Sequence, residues 1–337
     1  MLMDKKTKNI LRSLFWGAVS VVLVYFCLRS VDWEQFMQAM QQCRWEYVLL
    51  AMAFGLLVAF FRGLRWQMLL RPIDPETSLI TCFNAYNICL AANLVLPRAG
   101  EVVRLGYVVK NSSKDADGQR RMTLDKALGT LLIERGWDIF VGAMMAVCLA
   151  VFARERFGSF FQDILSGLGG ARTLWGVLAG GLLLMAVFVL LTRKYKDASP
   201  FWGKMWGILA GIGHGLTSFL HMEKSWLFLL YTVVIWSLYW FTSAAILWAL
   251  QDVQAFASLT FLDAFFIAMV GSFSSIVPVP GGFGAYHSVV GGFLKRVWGI
   301  PMGTGMIFAT LNHESQVLLQ ALSGIGSYIH ESFFRRR

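Results

Sequence analysis

Charge is scarce in this sequence. Only 15% of its 337 residues are Asp, Glu, Lys or Arg, against about a quarter in water-soluble domains, and that scarcity excludes an ordinary soluble globule. Acid is scarcer than base, 20 residues against 30. The basic residues nevertheless fall in short tracts between apolar runs, where they set topology and meet anionic headgroups and do not form a nucleic-acid surface. The five cysteines, Cys27, Cys43, Cys82, Cys89 and Cys148, have no metal-type spacing and mostly lie in apolar runs. They read as small core residues, neither a disulfide framework nor a zinc site. No Walker loop, nucleophile elbow, HExxH or paired-Cys motif is present, so no catalytic set, cofactor or metal is expected.

What is present is apolar. With 57% hydrophobic residues and a mean hydropathy of +0.58, the chain reads as an all-α polytopic membrane protein, a single domain over residues 1–337. Apolar runs lie near 10–28, 47–64, 79–96, 126–152, 174–192, 226–250, 261–277 and 303–328. About 18 or more residues are needed to cross roughly 30 Å of hydrocarbon. The first run follows Lys5, Lys6 and Lys8, lacks a clear small-residue cleavage site, and reads as a retained helix.

Were all eight runs to cross, Lys and Arg would divide evenly between the two sides. If instead 79–109 enters from the cytoplasm and returns to it, and 261–297 does the same from the opposite face, twenty fall inside and seven outside. The positive-inside rule selects the second arrangement. The expected fold is therefore about six full crossings plus two oppositely oriented re-entrant helical hairpins, an inverted repeat, with both termini cytoplasmic. Residues 29–46, with Trp33, Phe36, Met37 and Met40 at helical spacing, suit an interfacial helix. Residues 111–121 suit a solvated cytoplasmic loop, and 200–221, with Trp202, Trp206 and His214, a segment at the cytoplasmic interface. Asp263 is placed at the interface too.

Each hairpin contains a Pro/Gly break. Asn93 to Arg104 carries Pro97, Gly100 and the charges Arg98, Glu101 and Arg104, while Val277 to His287 carries Pro278, Pro280, Gly281, Gly282 and Gly284. Two interrupted segments from opposite faces form the pattern of an inverted-topology transporter, whose half-helix N-termini aim at an anionic group near the midplane. The plainer alternative is that Pro and Gly bend helices for packing. Glu134, Arg135 and Asp138 lie within the run that starts near Lys126, Glu134 about 12 Å deep by helical rise. Six such charges left unpaired would cost on the order of 15 to 20 kcal/mol, so the two clusters are expected to interlock near the membrane centre. The network serves either structure alone or, through the surplus donors of three arginines, a phosphate as well. The last run adds Asn312, His313, Glu314, Gln316 and Gln320, with His313, Gln316 and Gln320 on one helical face. They either line a polar path or bond across helices.

Four motifs in order resemble a known family: Arg62-Gly-Leu-Arg65-Trp66; Asn93 with Pro97-Arg98-Ala-Gly100-Glu101 and Arg104; Glu134-Arg135 with Asp138; and Pro280-Gly281-Gly282-Phe-Gly284. The chain is similar over nearly its whole length to the lysylphosphatidylglycerol synthase transmembrane region, the flippase-like domain. The resemblance implies a multi-pass protein of the bacterial inner membrane whose best-known relatives move an aminoacylated phospholipid between leaflets. It places the family's charged positions on Arg98, Glu101, Arg104, Glu134, Arg135 and Asp138. The chain ends at Arg337, soon after its last run, so lysyl-lipid synthesis is not expected. His287 stands where the family's glycine-rich motif usually ends in an acid, which suits an anionic or sugar-phosphate headgroup better than a cationic one.

The leading expectation is translocation of a phosphate-bearing lipid or polyprenyl-phosphate-linked headgroup. Arg98, Glu101, Arg104, Glu134, Arg135, Asp138, Gly281, Gly282, Gly284, His287, His313 and Glu314 are the expected substrate contacts. The alternatives are a membrane-embedded transferase or hydrolase using Glu101, Glu134 or Asp138 as base, and a non-catalytic partner of a glycosyltransferase or other biosynthetic enzyme.

Overall fold

The computed structural model describes residues 22, 25, 33–152, 166, 170–207, 209 and 224–334. Apart from residues 22 and 25, the retained first helix over 10–28 falls outside these residues, as does His214. All regular structure among the described residues is helical: α1 (Trp33–Gln42), α2 (Trp45–Leu70), α3 (Leu79–Val95), α4 (Ala99–Lys110), α5 (Leu124–Phe152), α6 (Gly170–Tyr195), α7 (Ser225–Ala249), α8 (Phe261–Phe273), α9 (Ala285–Trp298) and α10 (Met302–Phe334). Short 3₁₀ turns, Ser274–Ile276 and Pro280–Gly282, join α8 to α9. The chain divides into two compact units, one of residues 1–124 with 227–337 and the other of 125–226.

Helix α2 of the first unit turns apolar side chains outward and buries arginines. Along α2, Leu49, Leu56, Leu57 and Phe60 point outward while Arg62, Arg65 and Gln67 are buried, the arrangement that lipid imposes. Helix α2 has 26 residues and α7 has 25, and both are apolar enough to cross a bilayer. The apolar helices α3 and α8 have 17 and 13 residues, about 25 and 20 Å by helical rise, so each stops short of spanning about 30 Å of hydrocarbon.

Each short helix turns back at a proline. After α3, Pro97 is followed by Arg98 in the left-handed region (φ 61°, ψ 8°), and α4 packs back along α3. After α8, Pro280 is followed by Gly281 in nearly the same conformation (φ 58°, ψ 2°), and α9 packs back on α8. The starts of the short helices are fixed by side chains. Ser78 caps α3 through the Thr81 N–H at 3.1 Å, and Thr260 forms a capping box with Asp263 at the start of α8. Asp263 is thus fully buried in a cap.

Helix α10 is the common spine. Its C-terminal part packs on the first hairpin: a Cβ on Gly324 would lie 2.4 Å from Ala91, Tyr107 donates to Glu331 at 2.8 Å, and Lys110 pairs with Glu331 at 3.3 Å. Its N-terminal part continues from α9 through Gly299, in the left-handed region, and packs on the second hairpin. The open ends of the two hairpins therefore lie toward opposite ends of α10.

In the second unit, α5 buries Glu134 and half-buries Arg135 and Asp138, while Ile139 and Phe140 are exposed. Helix α6 ends in Arg193 and Lys194, and Trp202 lies in a further helical stretch at 200–207, its ring 6.3 Å from Tyr195.

Candidate functional site

The two hairpin tips meet. Helix α3 packs on the Pro280–Gly282 turn, with Leu94 Cδ2 3.4 Å from a Cβ built at Gly281. At the first tip Arg98 is the N-cap of α4 but supplies no side-chain bond. Asn93, from the last turn of α3, replaces it and accepts from the Gly100 N–H at 2.8 Å, satisfying a helix-start donor that would otherwise be orphaned. Gly100 is required there because a Cβ would sit 2.1 Å from the Cys89 carbonyl oxygen.

The three charges of this tip occupy three environments. Arg98 is exposed, Glu101 half-buried and Arg104 fully buried. The Arg104 guanidinium carbon lies 3.7 Å from the Trp66 ring and 5.4 Å from Tyr86, close range for a cation–π contact. Two further arginines stand nearby, both from the last turns of α2. Arg62 donates from Nε to the Tyr239 hydroxyl at 2.9 Å and lies 5.7 Å from the Tyr86 ring; Arg65 donates to Thr232 Oγ1 at 3.2 Å and faces Phe228. Tyr86 thus lies between Arg62 and Arg104. Sequence reasoning quoted Arg62 and Arg65 only as a resemblance motif and gave them no role in the site. Two arginines three residues apart at the end of an otherwise apolar run were the available signal.

Beside this cluster is a cavity of about 240 Å³ bounded by α2, α3, α7 and α10, room for about eight waters at liquid density. Tyr86, Asn87, Tyr239, Thr242, Gln316 and Gln320 give it hydroxyl and amide groups, and Leu56 and Leu90 give it apolar wall. Gln316 also donates to the Ala51 carbonyl at 3.1 Å. Of the face predicted on the last run, Gln316 and Gln320 line this cavity, whereas His313 turns toward the second tip.

There the glycine-rich turn and α10 converge. A Cβ at Gly282 would lie 3.0 Å from His313 Nε2, and the His313 ring stacks on Tyr286 at 5.0 Å and meets Phe283 edge-on at 5.6 Å. Tyr286 is in turn hydrogen-bonded by Asn312, which also donates to Ser243 Oγ at 3.3 Å. Glu314 Oε1 lies 3.0 Å from His313 Nδ1 and 3.6 Å from His287 Nε2. Gly284 is buried at the start of α9 (φ 78°). The structure therefore gathers Gly281, Gly282, Gly284, His287, His313 and Glu314 at one tip and places Arg98, Glu101 and Arg104 on the other hairpin. Glu134, Arg135 and Asp138 lie on α5, in the second unit.

The family described as Lysylphosphatidylglycerol synthase TM region matches residues 13–324. The chain belongs to that family. As a lysylphosphatidylglycerol synthase TM region protein it is an all-α polytopic membrane protein with a lipid-related role. No curated protein and no solved structure matches it significantly. All four motifs read from the sequence fall inside the matched span of this TM region.

Proposed function

We propose that this protein translocates a phosphate-bearing lipid or polyprenyl-phosphate-linked lipid across the bacterial inner membrane, with the headgroup passing the meeting hairpin tips and the tails remaining in the bilayer. The observation that carries the reading is the pair of short apolar helices, each reversed at a proline followed by a left-handed residue, whose tips touch. Such broken segments serve as substrate sites where irregular backbone lines a cavity and not lipid. Arg62 and Arg104 lie behind Tyr86, which lines the cavity of about 240 Å³, and guanidinium groups suit a phosphate.

In this reading both hairpins are re-entrant, 79–109 from the cytoplasm and 261–297 from the periplasm, and both termini are cytoplasmic. Arg98, Glu101, Arg104, Glu134, Arg135 and Asp138 are the charged contacts of the substrate. Rocking of one repeat against the other gives alternating access. The test is native mass spectrometry of the protein purified in mild detergent, followed by analysis of lipid incubated with it. A retained phosphate-bearing lipid that is chemically unaltered supports translocation. Retention of neutral lipid alone, or chemical alteration of the incubated lipid, contradicts it, and the second outcome favours a membrane transferase or hydrolase.

A further inference from the structure

We propose that His287, His313 and Glu314 form a binding site for one first-row divalent cation of the zinc class at the tip of the second hairpin. One nitrogen from each histidine and one carboxylate oxygen all lie within 4.8 Å of one another. The two measured separations, 3.0 Å from His313 and 3.6 Å from His287 to Glu314 Oε1, bracket the spacing of about 3.4 Å that a tetrahedral ion with bonds of roughly 2.0–2.1 Å gives its ligands.

The donors come from two elements, His287 from the first turn of α9 and the consecutive His313 and Glu314 from α10, so bringing His287 to that pair is tertiary. The site is also held in place. His313 is clamped between the Tyr286 ring, the Phe283 edge and the Gly282 backbone. The His287 ring lies 5.4 Å from it at 70°, so the two imidazoles approach the carboxylate from different directions.

The donor set itself suits a cation. Among the described residues the ion-pair partners of Glu314 are the two histidines, and two imidazole nitrogens with one carboxylate oxygen are the ligand types that zinc-class ions take. Three protein ligands leave a fourth position open, as in catalytic zinc sites, and the Glu314 side chain, 36% exposed, leaves room for water or a phosphate oxygen there. The site is independent of lipid movement and stands or falls separately from it.

The experiment uses the full chain in detergent, stripped with a chelator, reloaded with zinc and gel-filtered, with metal counted by mass spectrometry. A second sample is loaded with cobalt(II). The wild type should retain about one zinc per chain and give a tetrahedral-type cobalt spectrum. His287→Gln and Glu314→Gln should each weaken binding at least about tenfold, and His330→Gln, in a histidine that bonds Asn84 elsewhere on α10, should not. Zinc that washes off the wild type, or that the site variants hold as well as the wild type does, is adventitious and overturns the proposal. Should the variants fail to fold, the wild type still decides: zinc must protect the His287 and His313 peptides from diethyl pyrocarbonate, and unprotected peptides overturn the site.

Discussion

Arg98 is the residue where structure and function separate most cleanly. A non-glycine side chain in the left-handed region costs roughly 1–2 kcal/mol, and Arg98 holds φ 61° at an exposed tip, whereas Gly281 does the equivalent work in the other hairpin without that cost. Arg98→Gly should therefore melt at least as high as Arg98→Ala, because glycine adopts the turn freely, while both lose the guanidinium. A melting temperature for Arg98→Gly clearly below that of Arg98→Ala would contradict the strained turn. Asp74 is the residue that makes stability depend on pH. Burial alone would raise its carboxyl, but hydrogen bonds from Ser113 at 2.6 and 2.9 Å and from Ser112 at 2.8 Å outweigh that and hold it below the ordinary carboxylate range. A depressed folded-state pKa stabilises the fold above the unfolded value, about 3.9, and the stabilisation is lost as pH falls through the folded value. Asp74→Asn should cost about 1–3 kcal/mol near neutral pH, with the gap to wild type closing below about pH 3.9 in melts of detergent-solubilised protein. A pH-independent gap would contradict it. At this scale the sequence exposed charge and hid geometry. Arg98, Glu101 and Arg104 stood out because charge is rare, yet nothing local told that Arg104 would lie against Trp66, 38 positions earlier, or that Asp74 would be claimed by two serines from beyond α4.

At the scale of elements, the hairpins are held by close approach at small residues. Gly100→Ala pushes a Cβ into the Cys89 carbonyl, at 2.1 Å, and into Asn93, at 2.8 Å, so it should splay α3 from α4 and break the Asn93 cap. We expect a loss of several kcal/mol or failure to fold, against a change within about 0.5 kcal/mol for alanine at Gly106, where a Cβ meets nothing within 4 Å. Comparable melting temperatures for the two variants would contradict the tight hairpin. The orientation of the hairpins is tested by labelling: Lys114→Cys in a cysteine-free background should react with an impermeant thiol reagent from the cytoplasmic side, and ready periplasmic labelling would rule out the re-entrant topology. The helical breaks were legible because proline and glycine act locally and because loop charge reports sidedness. The role of α10 as a spine was not, since contacts such as Gly324 with Ala91 join segments more than 200 residues apart. The Cys43, Cys82 and Cys89 side chains are buried, in keeping with cysteine as a small core residue, and Trp33 and Met37 are exposed on α1, the pair an interfacial helix would present to headgroups. The division of the chain into two units had no counterpart in the sequence reading, because the second unit is contiguous and its flanks are apolar helices like their neighbours.

For the whole molecule, membership of the lysylphosphatidylglycerol synthase TM region family fixes a membrane protein with a lipid-related role, and among the described residues Arg62, Arg65 and Arg104 are buried. The proposed substrate is a lipid whose phosphate-bearing headgroup passes the hairpin tips while its tails stay in the bilayer. The most direct test is reconstitution of the purified chain in liposomes carrying a fluorescent short-chain anionic phospholipid, with an impermeant reductant to bleach the outer leaflet. The wild type should expose the inner-leaflet label faster than protein-free vesicles do. Arg98→Ala and Glu134→Ala should each slow it at least about tenfold. Wild-type rates in both single variants, or no acceleration by the wild type itself with any phosphate-bearing lipid, would contradict translocation through the meeting tips.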